Sequence, residues 1–203
     1  MPRLVTFGCS FTRGWDLHDT HPSNHTPSKF AWPNVLAKKL GYSVDNQAEG
    51  GAGNREIFNN ILNYDFKSDD LCIIGWSLFV RLDGFKYISP TETKRISVKE
   101  FDKNLAFQNA DYDYDLSMKN YLVMQHTNFL LDRRNIKSFS ILWSHDLHLN
   151  PKPDHIEIPN FIDTVRPFNC VLDKAIDNQH PGIRSHNLLA DKIYDKIKEY
   201  VLH

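Results

Sequence analysis

Two side chains able to act as nucleophiles stand next to each other near the start of the chain, Cys9 and Ser10, within Gly8-Cys9-Ser10-Phe11-Thr12. They follow Leu4-Val5-Thr6-Phe7, a short apolar run of the kind that forms a buried strand. A strand that ends in glycine and then a small hydroxyl or thiol residue places that group at the edge of a sheet. A serine there needs a base, a group that orients the base, and donors for the oxyanion formed on attack. Toward the other end, Asp177-Asn178-Gln179-His180-Pro181-Gly182 precedes a helical pattern. An Asp and a His at this spacing in a turn can set a carboxylate against one imidazole nitrogen and leave the other to face a serine. Between them, Asn46-Gln47-Ala48-Glu49-Gly50-Gly51-Ala52-Gly53-Asn54 forms a glycine-rich turn. Backbone amides in such a turn can approach a ligand closely, because no side chain intervenes.

Other chemistries fit these residues less well. A phosphate-binding P-loop needs a Gly-Lys pair, and the chain has Arg13-Gly14-Trp15. A cysteine phosphatase loop built on Cys9 would place an Arg at position 15, where Trp15 stands. Gly50, Gly51 and Gly53 lack the third glycine of a dinucleotide fingerprint, which would fall at Glu56. The histidine groups His18, His21, His25 and His145, His148, His155 lack the spacing of a zinc motif, so no metal is expected. The run Asp111-Tyr112-Asp113-Tyr114-Asp115 has no EF-hand Gly or closing Glu and reads as a solvated loop.

The bulk composition narrows the class. A chain of 203 residues with 41% apolar and 24% charged residues is expected to fold as one domain spanning 1–203. Its 24 basic and 25 acidic residues leave a net charge of −1, with no electrostatic footprint for nucleic acid or an anionic membrane. Three cysteines, Cys9, Cys72 and Cys170, make no disulfide framework and point to a reducing compartment. The N-terminal stretch shows no signal peptide, and no segment approaches the ~18 apolar residues of a membrane span, so a cytoplasmic chain is expected.

The elements that must position these residues alternate in type. Strands are predicted over 3–8, 42–47, 70–76 and 137–143. Helices are predicted over 28–40, with Ser28 as cap and Gly41 just past the end, and over 54–64. A longer helix of nearly five turns over 116–134 carries Leu116, Tyr121, Met124, Phe129 and Leu131. The last helix is the clearest, with Leu189, Ile193, Ile197 and Val201 on one face and Lys192, Asp195, Lys196 and Glu199 on the other. Such alternation predicts a parallel sheet with helices on both faces, and ligands bind such sheets beyond the carboxyl ends of the strands. Residues 13–27 and 82–115 fall outside the pattern and read as loops, the second as an insertion. Trp76 and Trp143 end apolar strands and read as core or pocket wall. Trp15 and Trp32 read as core or as lining for an acyl or sugar pocket.

Taken together, the motifs resemble those of the SGNH (GDSL-like) hydrolases. Gly8-Cys9-Ser10 matches the family's first block. Asn46-x-Ala48-x-x-Gly51-x-Gly53-Asn54 is similar to the block whose glycine amide helps bind the oxyanion. Asp177, His180 and Pro181 match the last block. The resemblance spans the chain in the family's order. It implies a three-layer α/β/α, flavodoxin-like parallel sheet of about five strands and a serine esterase or acylhydrolase acting on a small ester, such as an acetyl group on a sugar. It assigns Ser10 as nucleophile, His180 as base and Asp177 as its orienter, with the Ser10 and Gly51 amides binding the oxyanion and no cofactor required. One block departs: Gly75-Trp76-Ser77 puts Ser77 where the family has an oxyanion Asn. Ser77 or Asn54 is then expected to substitute, and Arg81 to bind a substrate carboxylate or sugar hydroxyl. The departure keeps a second reading open, an inactive module of the same fold that binds carbohydrate or protein through 82–115.

Overall fold

The computed structural model describes residues 1–20, 26–78, 84–89, 92–96, 110–143, 156–162, 165 and 167–201. In chain order the elements are β1 (Arg3–Gly8), α1 (Ser10–Arg13), α2 (Trp32–Leu40), β2 (Ser43–Asn46), α3 (Asn54–Leu62) and β3 (Asp70–Trp76). There follow β4 (Gly84–Ser89), β5 (Glu92–Ile96), α4 (Ala110–Arg133), β6 (Lys137–Leu142), a 3₁₀ turn (Pro167–Cys170) and α5 (Ile183–Val201). Four strands form a parallel sheet in the order β2-β1-β3-β6. The expectation of about five strands is corrected. What stands at the β6 edge is a single parallel bridge, Ser140 with Phe161, in which Ser140 N–H donates to Asn160 O and Ile162 N–H to Ser140 O. Among the described residues, only that one pair at this edge meets the ladder geometry.

The sheet is covered on both faces, and side chains alternate between them. Leu4, Leu71, Ile73, Phe139 and Ile141 pack under α2 and α5 with Trp32, Leu36, Leu189, Ile193 and Ile197. Val5, Phe7, Cys72, Ile74 and Leu142 pack under α3 and α4 with Ile57, Ile61, Tyr121, Met124 and Leu131. Each such aliphatic side chain withdrawn from water contributes roughly 1.5–3 kcal/mol. Among the described residues no helix is long and apolar enough to cross a membrane.

Several local expectations need correction. Ser28 does not cap α2: the helix begins at Trp32, after Ala31, with Pro33 in its first turn. Ser28 instead donates from its hydroxyl to Asp19 (2.5 Å) and accepts from the Phe30 amide. Residues 111–115 belong to α4 rather than to a loop, and β4 and β5, which fall in the 82–115 stretch, pair antiparallel.

The first amide of α2 has an unusual acceptor. Trp32 N–H donates to Nδ1 of His186, a side chain of α5 that is 1% exposed. Burial, opposed by Asp173 and reinforced by His180, holds this imidazole down at about 4. Between its ordinary 6.5 and that value, the unfolded chain binds a proton that the folded chain refuses. Stability is therefore expected to fall as the pH drops through that window, by at most about 1.4 kcal/mol per unit. Denaturant unfolding of wild type and His186→Gln at pH 7.5 and 4.5 checks this: the loss at the lower pH should shrink in the variant.

Candidate active site

The site forms at the carboxyl edge of the sheet, where β1 sits between β2 and β3. After Gly8 the chain turns at once into α1, with Cys9 O accepting from the Thr12 and Arg13 amides at 2.9 and 3.0 Å. This tight turn needs space. Gly8 and Gly75 are register partners on β1 and β3, and a Cβ on either would lie 2.2 or 2.3 Å from the Thr12 hydroxyl oxygen. The two missing side chains let α1 rest directly on the strand ends. Gly14, in the left-handed region at φ 75°, ends α1 and donates to Ser10 O. Ser10 is thus the first residue of α1, only 5% exposed, at the end of a central strand.

A second strand of chemistry arrives from residues far away in sequence. Ser10 Oγ lies 2.9 Å from His180 Nε2, and His180 Nδ1 lies 2.5 Å from Asp177 Oδ2. The other Asp177 oxygen accepts from the Gln179 and His180 amides, both at 3.0 Å. Partial burial works against the Asp177 charge, but these amides and the imidazole outweigh it and hold the carboxyl down at about 2. An ionised carboxylate on Nδ1 fixes the proton there and leaves Nε2 as the acceptor for a hydroxyl proton.

The turn that carries these residues is itself held. Ala175 N–H donates to His180 O and Gly182 N–H to Asp173 O. The Asp173 carboxylate accepts from the Arg184 amide and from the Ser185 amide and hydroxyl, at the start of α5. On the near side Ile176 N–H donates to Asp16 O at 3.1 Å. Phe11 packs against the His180 ring, with centroids 5.2 Å apart, and stacks on Trp143.

The glycine-rich turn follows β2 and lies against the same edge. Gln47 N–H donates to Thr6 O, Glu49 N–H to Gly8 O, and Asn46 Nδ2 to Thr12 O. Gly51 has φ 78°, a conformation in which a side chain would be strained. Ser77, just past β3, donates its amide to Asn54 Oδ1 at 2.7 Å, and its buried hydroxyl has no partner among the described residues. Asn54 also donates from Nδ2 to Ser77 O and to Asn120 Oδ1. Both Asn54 amide hydrogens thus bond within the protein, and the side chain ties the end of β3 to α3 and α4. Arg81 lies outside the described residues, as do His21, His25, His145, His148 and His155. His18 is exposed. Cys9 and Trp32 are fully buried.

A cavity of about 520 Å³ opens beside α1, lined by Arg13, Trp15, Asn46, Gln47, Glu49 and Gly50. Arg13 crosses Trp15, with its guanidinium 5.8 Å from the ring centroid, and donates to Ala48 O. Burial pushes the Arg13 pKa down, against the Glu49 charge. Sequence reading missed two participants. Thr12 carries no pattern that marks a wedge, and Asp16 lay in what read as a polar loop. A carboxylate oxygen of Asp16, one of Asp177 and a ring nitrogen of His180 all lie within 4.8 Å of one another.

No family model and no curated protein sequence matches the chain. Solved structures do. An acetyl xylan esterase, Est2A, from the rumen bacterium Butyrivibrio proteoclasticus is 14% identical with a TM-score of 0.56. The match covers 98% of this chain and 64% of that one, so this chain spans less than two thirds of its length. The TesA structure is 11% identical with a TM-score of 0.58 over 97% of this chain and 98% of that one. The psychrotrophic esterase EstA from Pseudoalteromonas sp. is 10% identical with a TM-score of 0.53 over 100% of both. At these identities the likeness is one of fold. The chain has the parallel α/β fold of these three structures.

Proposed function

We propose that the protein is a serine esterase or acylhydrolase that removes a small acyl group from a carbohydrate. One observation carries the reading: residues 10, 177 and 180, remote in sequence, meet in an unbroken Ser–His–Asp hydrogen-bond chain of 2.9 and 2.5 Å. In this mechanism His180 Nε2 takes the Ser10 proton as Oγ bonds to the ester carbonyl carbon. The carbonyl electrons move onto the oxygen, which the Ser10 and Gly51 amides and the Ser77 hydroxyl stabilise. Collapse breaks the bond to the alcohol, which leaves with the proton from His180. Water then repeats the sequence on the acyl-enzyme, with His180 again taking and returning the proton. Asp177 holds the imidazole and offsets its positive charge.

The substrate class is supported by the cavity beside α1. Its lining of Arg13, Asn46, Gln47 and Glu49 offers polar groups to sugar hydroxyls, and the Trp15 ring beside them offers an apolar face of the kind a sugar ring stacks on. The solved structures of similar fold include an acetyl xylan esterase and a carbohydrate esterase. The Ser77 hydroxyl where the related block has an Asn favours a second reading, a weak or inactive binding module.

Intact-mass spectrometry after treatment with a fluorophosphonate probe separates the two. The hydrolase reading expects one adduct on wild type and none on Ser10→Ala or His180→Ala, each still folded by circular dichroism. Absence of an adduct on folded wild type would support the binding module. With an acetylated sugar as substrate, Ser77→Ala is expected to lower kcat about 10²-fold, the scale of one lost oxyanion donor, with little change in KM. An unchanged kcat would remove Ser77 from the oxyanion site.

A further inference from the structure

We infer that Asp16 is a second carboxylate serving His180, a positioning residue that makes the imidazolium state of the base more favourable. The inference rests on the hydrolase reading and extends it to a residue outside the Ser–His–Asp chain. Its first support is distance: Asp16 and Asp177 each bring a carboxylate oxygen to a cluster with a His180 ring nitrogen, all within 4.8 Å. Its second is the way Asp16 is held. Its φ is 56°, in the left-handed region, where an Asp is tolerated at a modest cost and where such residues gather at functional sites. Its carbonyl accepts from the Ile176 amide, so the loop after α1 is stitched to the turn that bears Asp177 and His180.

The charge arrangement changes sign in its effect as the reaction proceeds. With His180 neutral, Asp16 and Asp177 are like charges at close range and repel each other. Once His180 takes the Ser10 proton, both carboxylates face a cation, and the same arrangement becomes attractive. An interaction stronger in the transition state than in the ground state accelerates the chemical step. A further titratable group in electrostatic range of His180 is His186, on α5, which is buried, held low and also in range of Asp173. It stays neutral through the working range and offers no charge to the imidazolium. Asp177 from the turn and Asp16 from the loop after α1 therefore supply the negative charge.

The test measures the rate of fluorophosphonate labelling against pH for wild type, Asp16→Asn and Asp16→Glu, with the melting temperature of each. Asn also tolerates the left-handed conformation, so the backbone is kept. The expected result is an Asp16→Asn rate about tenfold lower, an acid limb moved to lower pH by about one unit, and a melting temperature no lower than wild type. Asp16→Glu should recover part of both rate and limb. An unchanged limb and rate in Asp16→Asn, or a lost rate with an unmoved limb and a lower melting temperature, would overturn the role of Asp16 alone. A wild type that does not label overturns the hydrolase reading and this inference with it.

Discussion

Thr12 can sit over the ends of two adjacent strands because positions 8 and 75 carry no side chain. Gly8 and Gly75 are paired in register on β1 and β3, and any Cβ there would collide with the Thr12 hydroxyl. Everything at the site follows from that close approach. It lets α1 start immediately after β1, which puts Ser10 at the rim of the sheet instead of inside a longer loop. It brings Arg13 and Trp15 to the loop after β2, so the short helix that begins at Ser10 also supplies Arg13 to the cavity. Parallel pairing supplies the rest: all four strands end on the same side, and their connections are gathered into one crevice.

The second half of the site is positioned by hydrogen bonds to backbone more than by packing. Asp177 accepts two amides of its own turn, and Asp173 accepts amides at the start of α5. These bonds keep both carboxylates ionised; their pKa values are drawn down despite partial burial, which alone would raise them. A turn held this way presents His180 at a defined angle while leaving its ring partly exposed. Phe11, the residue after Ser10, closes the arrangement by packing on the His180 ring and on Trp143. The helix that carries Ser10 thus holds His180 in place as well.

How much of this was legible depended on range. The strands and the amphipathic face of α5 could be read because periodic burial leaves a periodic pattern, and Leu189, Ile193 and Ile197 are buried as that pattern requires. Ser28 misled because its capping chemistry is equally suited to a turn, and Asp19 offered it a better partner. Phe129 lies on the predicted helix but at its surface, because hydrophobicity does not specify a face at the margin of a stripe, and Arg133 gives its ring a partner there. The Asp-Tyr repeat at 111–115 looked like a loop because its polarity outweighs helix propensity locally, although α4 begins before it.

Ser10, Asp177 and His180 could be picked out from the sequence alone, because a hydroxyl, a carboxylate and an imidazole are distinctive residue types and each lies in a turn next to a recognisable element. The strand–helix alternation likewise determined the class of fold, since two-sided burial of strands demands helices on both faces. Only the tertiary structure decided which groups act together. Asn54 and Ser77 share one hydrogen-bond network across 23 residues, and His186 meets the Trp32 amide across 154. Asp16 joins Asp177 and His180 although nothing near it in sequence points there. Such pairings depend on where separate elements dock on the sheet. A local pattern records which face a residue prefers, and carries no information on what it will meet there.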